Sequence, residues 1–226
     1  MLNKTQISEI EKKLNYSFKN KELLSTAFTH SSYGHLMNEA HNERLEFLGD
    51  SVLQLCVTKY LYTHFDLEEG ALSKIRSFIV STKNLSKAVN DLDFISFLQY
   101  AQSGNKVMSN AIKADLFEAV LGAIYLDSNF ETTYNFVVQK LKFTKELFAD
   151  LMQDAKDYKT TLQELIQTKK DNVLEYRIIK KEGPAHLPKF TAQVLINGTV
   201  LGEAEGRSKK EAENICASIA IKKLDL

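Results

Sequence analysis

Cysteine and proline are nearly missing from this chain, and an excess of either charge is missing altogether. The two cysteines, Cys56 and Cys216, stand far apart and without zinc-ligand spacing. That argues against a disulfide framework or a cysteine metal site and fits a reducing, cytoplasmic setting. Both prolines, Pro184 and Pro188, come late, so nothing before them forbids long helices. No apolar run approaches the roughly 18 residues of a membrane span, and Met1 to Leu14 is too charged for a secretory signal. No membrane partner is expected. The 29 basic residues balance 29 acidic ones, which on its face argues against a nucleic-acid partner. Local placement decides instead: residues 1–150 carry 16 basic and 18 acidic side chains, residues 151–226 carry 13 and 11.

What the chain does have is helical periodicity over residues 1–150. The pattern predicts helices over Leu2 to Leu14, Lys21 to Phe28, Asn42 to His64, Ala71 to Val80, Thr82 to Asp91 and Asn110 to Leu126. Thr29 to Gly34 and Gln102 to Asn105 read as loops, and Asp66 to Gly70 as a polar break. Ser128-Asn129-Phe130-Glu131 has the spacing of a capping box that opens a helix running to about Phe148. After about residue 150 the pattern changes. A helix over Thr160 to Thr168 precedes strands at Val173 to Lys181, Lys189 to Ile196 and Thr199 to Glu205. Asn197-Gly198 supplies the hairpin turn. Ser208 to Glu211 is a second capping box, opening a helix with Ala212, Ile215, Cys216, Ile219 and Ala220 apolar. The expected fold is an all-α domain over 1–150 followed by a small α+β domain of αβββα order over 151–226.

The candidate chemistry lies in the acids. Glu43, Glu46 and Asp50 fall within about 60° of one another on one helix face, with Leu45, Leu48, Val52, Leu55 and Cys56 opposite. This is either a solvated face or half of a metal site. Asp115 and Glu118 sit three apart in a helix that is apolar nearly all round, where a carboxylate needs a basic partner or a cation. Lys113 and Arg76 are the candidate basic partners. Together with Glu69 these acids suit Mg²⁺, a hard cation with oxygen ligands, and so point to phosphoryl chemistry. The histidines are scattered and offer no nucleophile relay. In the second domain, Lys209 and Lys210 open a helix, where the macrodipole disfavours cations unless an anion docks. They are solvated lysines or a phosphate site. His186 in the proline loop and Gln163 and Gln167 on the first helix give further polar regions, suited to contacts across two minor grooves of A-form RNA.

Asn42 to Ser51, reading NERLEFLGDS, resembles the signature stretch of ribonuclease III. Thr29-His30-x-Ser32-Tyr33, Glu69-Gly70-x-Leu72-Ser73-x-x-Arg76 and Ala114-Asp115-x-Phe117-Glu118-Ala119 are similar to further motifs of that family. Residues 157–224 resemble its double-stranded-RNA-binding domain, through Lys159-Thr160-x-Leu162-Gln163-Glu164, Gly183-Pro184-x-His186 and Gly206-x-Ser208-Lys209-Lys210. The resemblance implies a Mg²⁺-dependent endoribonuclease, with Mn²⁺ as a substitute, that cuts double-stranded RNA. The products would carry 5′-phosphate and 3′-hydroxyl ends and two-nucleotide 3′ overhangs; ribosomal-RNA precursors and other structured transcripts would be substrates. It assigns Glu46, Asp50, Asp115 and Glu118 to metal and catalysis. Glu43 and Glu69 become further acids of the cleft, and Thr160, Gln163, Gln167, His186, Lys209 and Lys210 RNA contacts. It also implies a homodimer with Phe47 entering the partner. Ser31 and Gln102-Ser103-Gly104 depart from the usual residues and put local loop contacts in doubt. A non-catalytic RNA-binding or ribosome-associated protein of the same fold is the competing reading, opposed by retention of all six acids. A DNA nuclease is opposed by the second domain.

Overall fold

A computed structural model describes residues 2–101, 108–155, 157–167, 172–184 and 187–224. The chain divides into two units, Met1–Ala155 and Lys156–Leu226. In the first, the helices are α1 (Lys4–Leu14), α2 (Lys21–Ala27), α3 (Ser31–Met37), α4 (Glu43–His64), α5 (Glu69–Ile79), α6 (Thr82–Asp91), α7 (Asn110–Asp127), α8 (Phe130–Lys140) and α9 (Lys145–Ala155). Side chains start them: Asn3 and Gln6 form a reciprocal capping box on α1, Ser81 accepts from Asn84 N–H on α6, and Ser109 accepts from Ile112 N–H on α7.

The core of this unit is α7, whose Leu116, Phe117 and Ala119 to Ile124 are fully buried. Its main partner is α4, and two glycines set how close the helices come. A Cβ on Gly49 would lie 1.8 Å from the Glu118 carbonyl oxygen, and one on Gly122 would lie 2.2 Å from that of Leu45. Only a residue without a side chain lets the backbones meet there. Leu45, Val52, Leu53, Cys56 and Val57 of α4 fill the space beside the crossing.

Several expectations are corrected. Of the expected Thr29 to Gly34 loop only Thr29 and His30 lie outside a helix, because His30 accepts the Ser32 N–H and caps α3, which opens at Ser31. Asn129, rather than Ser128, caps α8 by accepting from Thr132 N–H; the Ser128 hydroxyl instead donates back to the Ile124 carbonyl at 2.6 Å. The helix expected to reach Phe148 stops at Lys140, with Lys142 left-handed at φ 52°, and α9 restarts at Lys145. Leu55 is exposed rather than part of the core face of α4, and Ala111 is exposed at the start of α7. Gln102 to Asn105 lies outside the described residues.

The second unit runs α10 (Tyr158–Gln167), β1 (Leu174–Glu182), β2 (Lys189–Ile196), β3 (Thr199–Gly206), α11 (Lys209–Lys223). The antiparallel sheet has order β1-β2-β3, and the β2–β3 hairpin turns through Asn197 and Gly198 with φ of 51° and 79°. Leu162 and Ile166 of α10 pack with Ala192 and Val194 of β2 and with Ala212, Cys216 and Ala220 of α11. Ile215 and Ile219, expected in that apolar face, are partly exposed. The second capping box is half formed: Ser208 accepts from Glu211 N–H, but the Glu211 carboxylate takes the Arg207 N–H. Among the described residues no helix is long and apolar enough to cross a membrane.

Replacing Gly122 with alanine forces α4 and α7 apart. We expect Gly122→Ala to lower stability by at least about 2 kcal/mol, read from the denaturant midpoint; an unchanged midpoint contradicts the close crossing.

Candidate functional site

The α4–α7 crossing brings the acids of the two helices together. Glu46 from α4 and Asp115 and Glu118 from α7 each offer a carboxylate oxygen within 4.8 Å of the others, all three half-buried. Asp50 is exposed one turn beyond Glu46 and accepts from the Gln54 amide at 3.4 Å. It lies outside the three-residue group, yet its charge acts on both Glu46 and Glu118. Neither basic residue considered for the buried acids, Lys113 or Arg76, forms an ion pair with them among the described residues. Arg76 donates to the Thr58 and Ser73 hydroxyls, and among the described residues no Lys or Arg pairs with Glu46, Asp115 or Glu118.

Uncompensated negative charge is the result. Burial, followed by the charges of Asp50, Asp115 and Glu46, pushes the Glu118 carboxyl up to about 8. Burial and neighbouring acids also raise Glu46; burial raises Asp115, opposed by His30 and a backbone hydrogen bond. Asp127, at the far end of α7, shows the contrast. It too is buried, yet it accepts from the Tyr16 hydroxyl at 2.6 Å and from the Lys19 and Asn20 amides at 2.8 Å. Those donors outweigh its burial and lower its pKa. Among the described residues Glu118 has the burial without the donors. Three oxygen ligands converging without a basic partner fit a hard divalent cation.

The other predicted acids stand apart from this group. Glu43 is exposed at the start of α4, 3.9 Å from His41 Nδ1. Glu69 opens α5 and accepts from the Ser73 hydroxyl at 2.7 Å, so Glu69, Ser73, Arg76 and Thr58 form a chain from α5 to α4. Phe47 is 80% exposed, in one row on α4 with Leu55 at 55% and Tyr62 at 80%. Reading Leu55 as core hid that row.

In the second unit, Lys209 and Lys210 form the exposed first turn of α11 and, among the described residues, neither is in an ion pair. Thr160 and Gln163 are exposed on α10. Lys159 ties α10 to α11 through Glu213 at 2.7 Å and lies over the Tyr176 ring. His186 and the side chain of Gln167 lie outside the described residues.

Residues 20–144 match the family model described as ribonuclease-III-like, and residues 158–224 match the double-stranded RNA binding motif. The chain belongs to the ribonuclease III family. It is 41% identical to ribonuclease 3 of Clostridium botulinum (strain Eklund 17B / Type B), over 99% of this chain and 98% of that one. Against ribonuclease 3 of Listeria monocytogenes serovar 1/2a the identity is 40%, over 97% and 98%. The nuclease domain of ribonuclease III from Campylobacter jejuni, described as flexible in a region involved in dimer formation, is 38% identical with a TM-score of 0.56. That match covers 60% of this chain and 96% of the other. Ribonuclease III enzymes are metal-dependent endoribonucleases, and this member couples the nuclease fold to a double-stranded-RNA-binding unit.

The Glu118 carboxyl, raised from 4.5 to about 8, binds its proton more tightly in the folded state than in the unfolded one. The metal-free fold therefore loses stability as pH rises between those values. Glu118→Gln should remove that loss. Measured in chelator, its stability relative to the parent should rise by about 1–2 kcal/mol between pH 5 and pH 8, allowing for partial solvation. Parallel pH curves for the two proteins would show the carboxylate to be compensated.

Proposed function

We propose that this chain is a Mg²⁺-dependent homodimeric endoribonuclease that hydrolyses phosphodiester bonds of double-stranded RNA, leaving 5′-phosphate and 3′-hydroxyl ends. The observation that carries this reading is the convergence of Glu46, Asp115 and Glu118 without a basic partner, in a chain that also has a double-stranded RNA binding motif. Glu46, Asp115 and Glu118 would hold the ion, with Mn²⁺ as a substitute. When bound, the ion supplies an activated water and charge stabilisation at the phosphate. Asp50, exposed beside the group, is suited to order water at its open side. Glu43, whose charge acts on Glu46, adds negative charge beside the group, and Glu69 is assigned to the cleft by motif position.

RNA is held by the second unit. Unpaired lysines at a helix N-terminus are disfavoured by the macrodipole, and a backbone phosphate answers both charges at once. Thr160, Gln163 and Gln167 on α10 and His186 in the proline loop are assigned the flanking contacts by motif position, as shape-readers of the duplex. The Phe47, Leu55 and Tyr62 row supports a second copy of the chain as partner, and the Campylobacter jejuni domain's dimer-forming region favours the same conclusion. A double-stranded RNA substrate and two free, buried cysteines support a cytoplasmic setting. Ribosomal-RNA precursors and other structured transcripts are the substrates that family membership favours. The non-catalytic alternative would leave the uncompensated acids without a use.

Incubation of a long RNA duplex with Mg²⁺ tests the activity: the parent should cut it, whereas Glu118→Gln should bind it comparably and lose at least about 100-fold in cleavage. Cleavage by that variant at the parental rate would rule out the metal assignment. Lys209→Ala with Lys210→Ala should weaken duplex binding and reduce the slope of log affinity against log salt by about 1–2; an unchanged slope removes the phosphate role. Phe47→Asp should shift sedimentation from dimer to monomer, and a variant that stays dimeric contradicts the interface.

A further inference from the structure

Helix α11 buries small side chains and leaves large ones outside. Ala212, Cys216, Ala217 and Ala220 are its buried face, while Ile215 and Ile219, one turn apart, stay 39% and 37% exposed. The small buried face is what a close approach to the sheet requires. A Cβ on Gly202 of β3 would lie 2.6 Å from the Cys216 carbonyl oxygen and 3.3 Å from Ile219 Cβ. Ile219 is thereby set over β3, an edge of the sheet, and Ile215 continues the row one turn earlier.

Charge frames this pair. At about 100° per residue, Glu211, Ile215, Ile219 and Lys222 fall within about 80° of one another, with Lys223 beside them. Glu211 lies in the first turn and Lys222 and Lys223 in the last, all three exposed. Among the described residues none of the three is in an ion pair. The macrodipole favours an acid at the start of a helix and lysines at its end, but it gives no reason for isoleucines on the solvent side between them. The row is complementary to itself. Ala217 is the midpoint of Ile215 and Ile219 and also of Glu211 and Lys223. Turned end for end about that point, a second α11 sets Ile215 against Ile219 and Glu211 against Lys222 and Lys223, twice over. A patch that matches itself under a two-fold rotation is the form an isologous contact takes.

We propose that α11 carries a self-association surface: the RNA-binding units of two copies pair through antiparallel α11 helices, Ile215 on Ile219 and Glu211 on Lys222 and Lys223. The occupant is a second copy because each end of the row supplies the charge that the other end lacks. Two isoleucines on each side fall well short of the roughly 800 Å² per partner of a stable complex. The contact is therefore weak and acts where copies are already held together, on one RNA duplex or in one nuclease dimer. Lys209 and Lys210 fall at least about 80° outside the row, so pairing leaves them free for phosphate. The proposal is independent of the metal reading.

Disulfide trapping in the full-length, RNA-free protein tests it. Ser218 borders the row beside the two-fold point, and the native cysteines are buried. On mild oxidation Ser218→Cys should form covalent dimer several-fold faster than Thr199→Cys, which places the thiol at the exposed β2–β3 turn. Equal rates overturn the proposal. In the Ser218→Cys protein, Glu211→Lys alone, or Lys222→Glu with Lys223→Glu, replaces two attractions by two repulsions and should slow trapping at least about 5-fold. An equimolar mixture of the two charge variants, equilibrated for subunit exchange, should recover most of the Ser218→Cys rate, since lysine again meets glutamate in the mixed pair. Trapping that ignores the charges, or a mixture no faster than its components, overturns self-pairing and leaves the row to a different partner. The substituted charges are exposed, so each variant should melt within a few degrees of the parent.

Discussion

The close crossing of α4 and α7 is the constraint on which the nuclease unit depends. At Gly49 and Gly122 each backbone occupies the space that the other helix's Cβ would need. The distance between the helices is consequently set by main chain against main chain and leaves side chains no part in it. That matters for chemistry because the acids are placed from the same contact. Glu46 and Asp50 lie either side of Gly49, one turn apart, while Asp115 and Glu118 occupy the turns of α7 before Gly122. A looser crossing would separate the carboxylates by the same increment and end their convergence within 4.8 Å. Folding and ligand geometry are thus fixed by one interaction.

Bringing like charges together has a cost that the rest of the fold does not offset. At Asp127 the chain shows that it can satisfy a buried carboxylate, with one hydroxyl and two backbone N–H donors aimed at it. Among the described residues no such donor reaches Glu118, and the carboxyl is driven up to about 8. Both residues belong to α7, so the difference lies in what surrounds each end of that helix. One acid anchors the segment after α1; the other is left in need of a cation. Stability is given up where a functional site would be.

How much of this could be read from the residues depended on range. Periodicity located α4, α6 and α7 to within a residue or two, because long amphipathic or wholly apolar runs report burial directly. The Asn197-Gly198 hairpin was equally legible, since two successive positive φ values demand those residue types. Local competition was harder to see. Ser128-x-x-Glu131 had capping-box spacing, but Asn129 one residue later took the cap and Ser128 closed α7 instead. The Lys140 to Lys145 break carried no glycine or proline, and its signal was only a left-handed lysine. In the site, spacing indicated that Glu43, Glu46 and Asp50 share a face, yet it could not say which of them meets α7. That selection depends on where the helices cross, and Gly49 and Gly122 were not read as the crossing. The ties from Thr29, His30 and Ser32 to Asn42, Gln99 and Ala101 were missed for the same reason, since their partners are distant in sequence.

Helix α4 divides its circumference into three sectors, and their order explains the half-burial of Glu46. Taking about 100° per residue, Leu45, Gly49, Val52 and Cys56 form the face against α7. Phe47, Leu55 and Tyr62 form an exposed apolar row on another side. Glu43, Glu46 and Asp50 fall in the sector between them. Acids in the core face would be dry and unreachable, and acids on a fully solvated face would have ordinary carboxylate behaviour and weak ligation. At Glu46, on the edge of the sector nearest the core, the boundary gives partial desolvation together with access. In the proposed dimer, a partner covering the Phe47 row would bound the acid sector on its second side and turn a surface stripe into a cleft. The helix must stay straight for the sectors to keep their registry along its 22 residues. The lack of proline before Pro184 therefore bears on function as well as on helix formation.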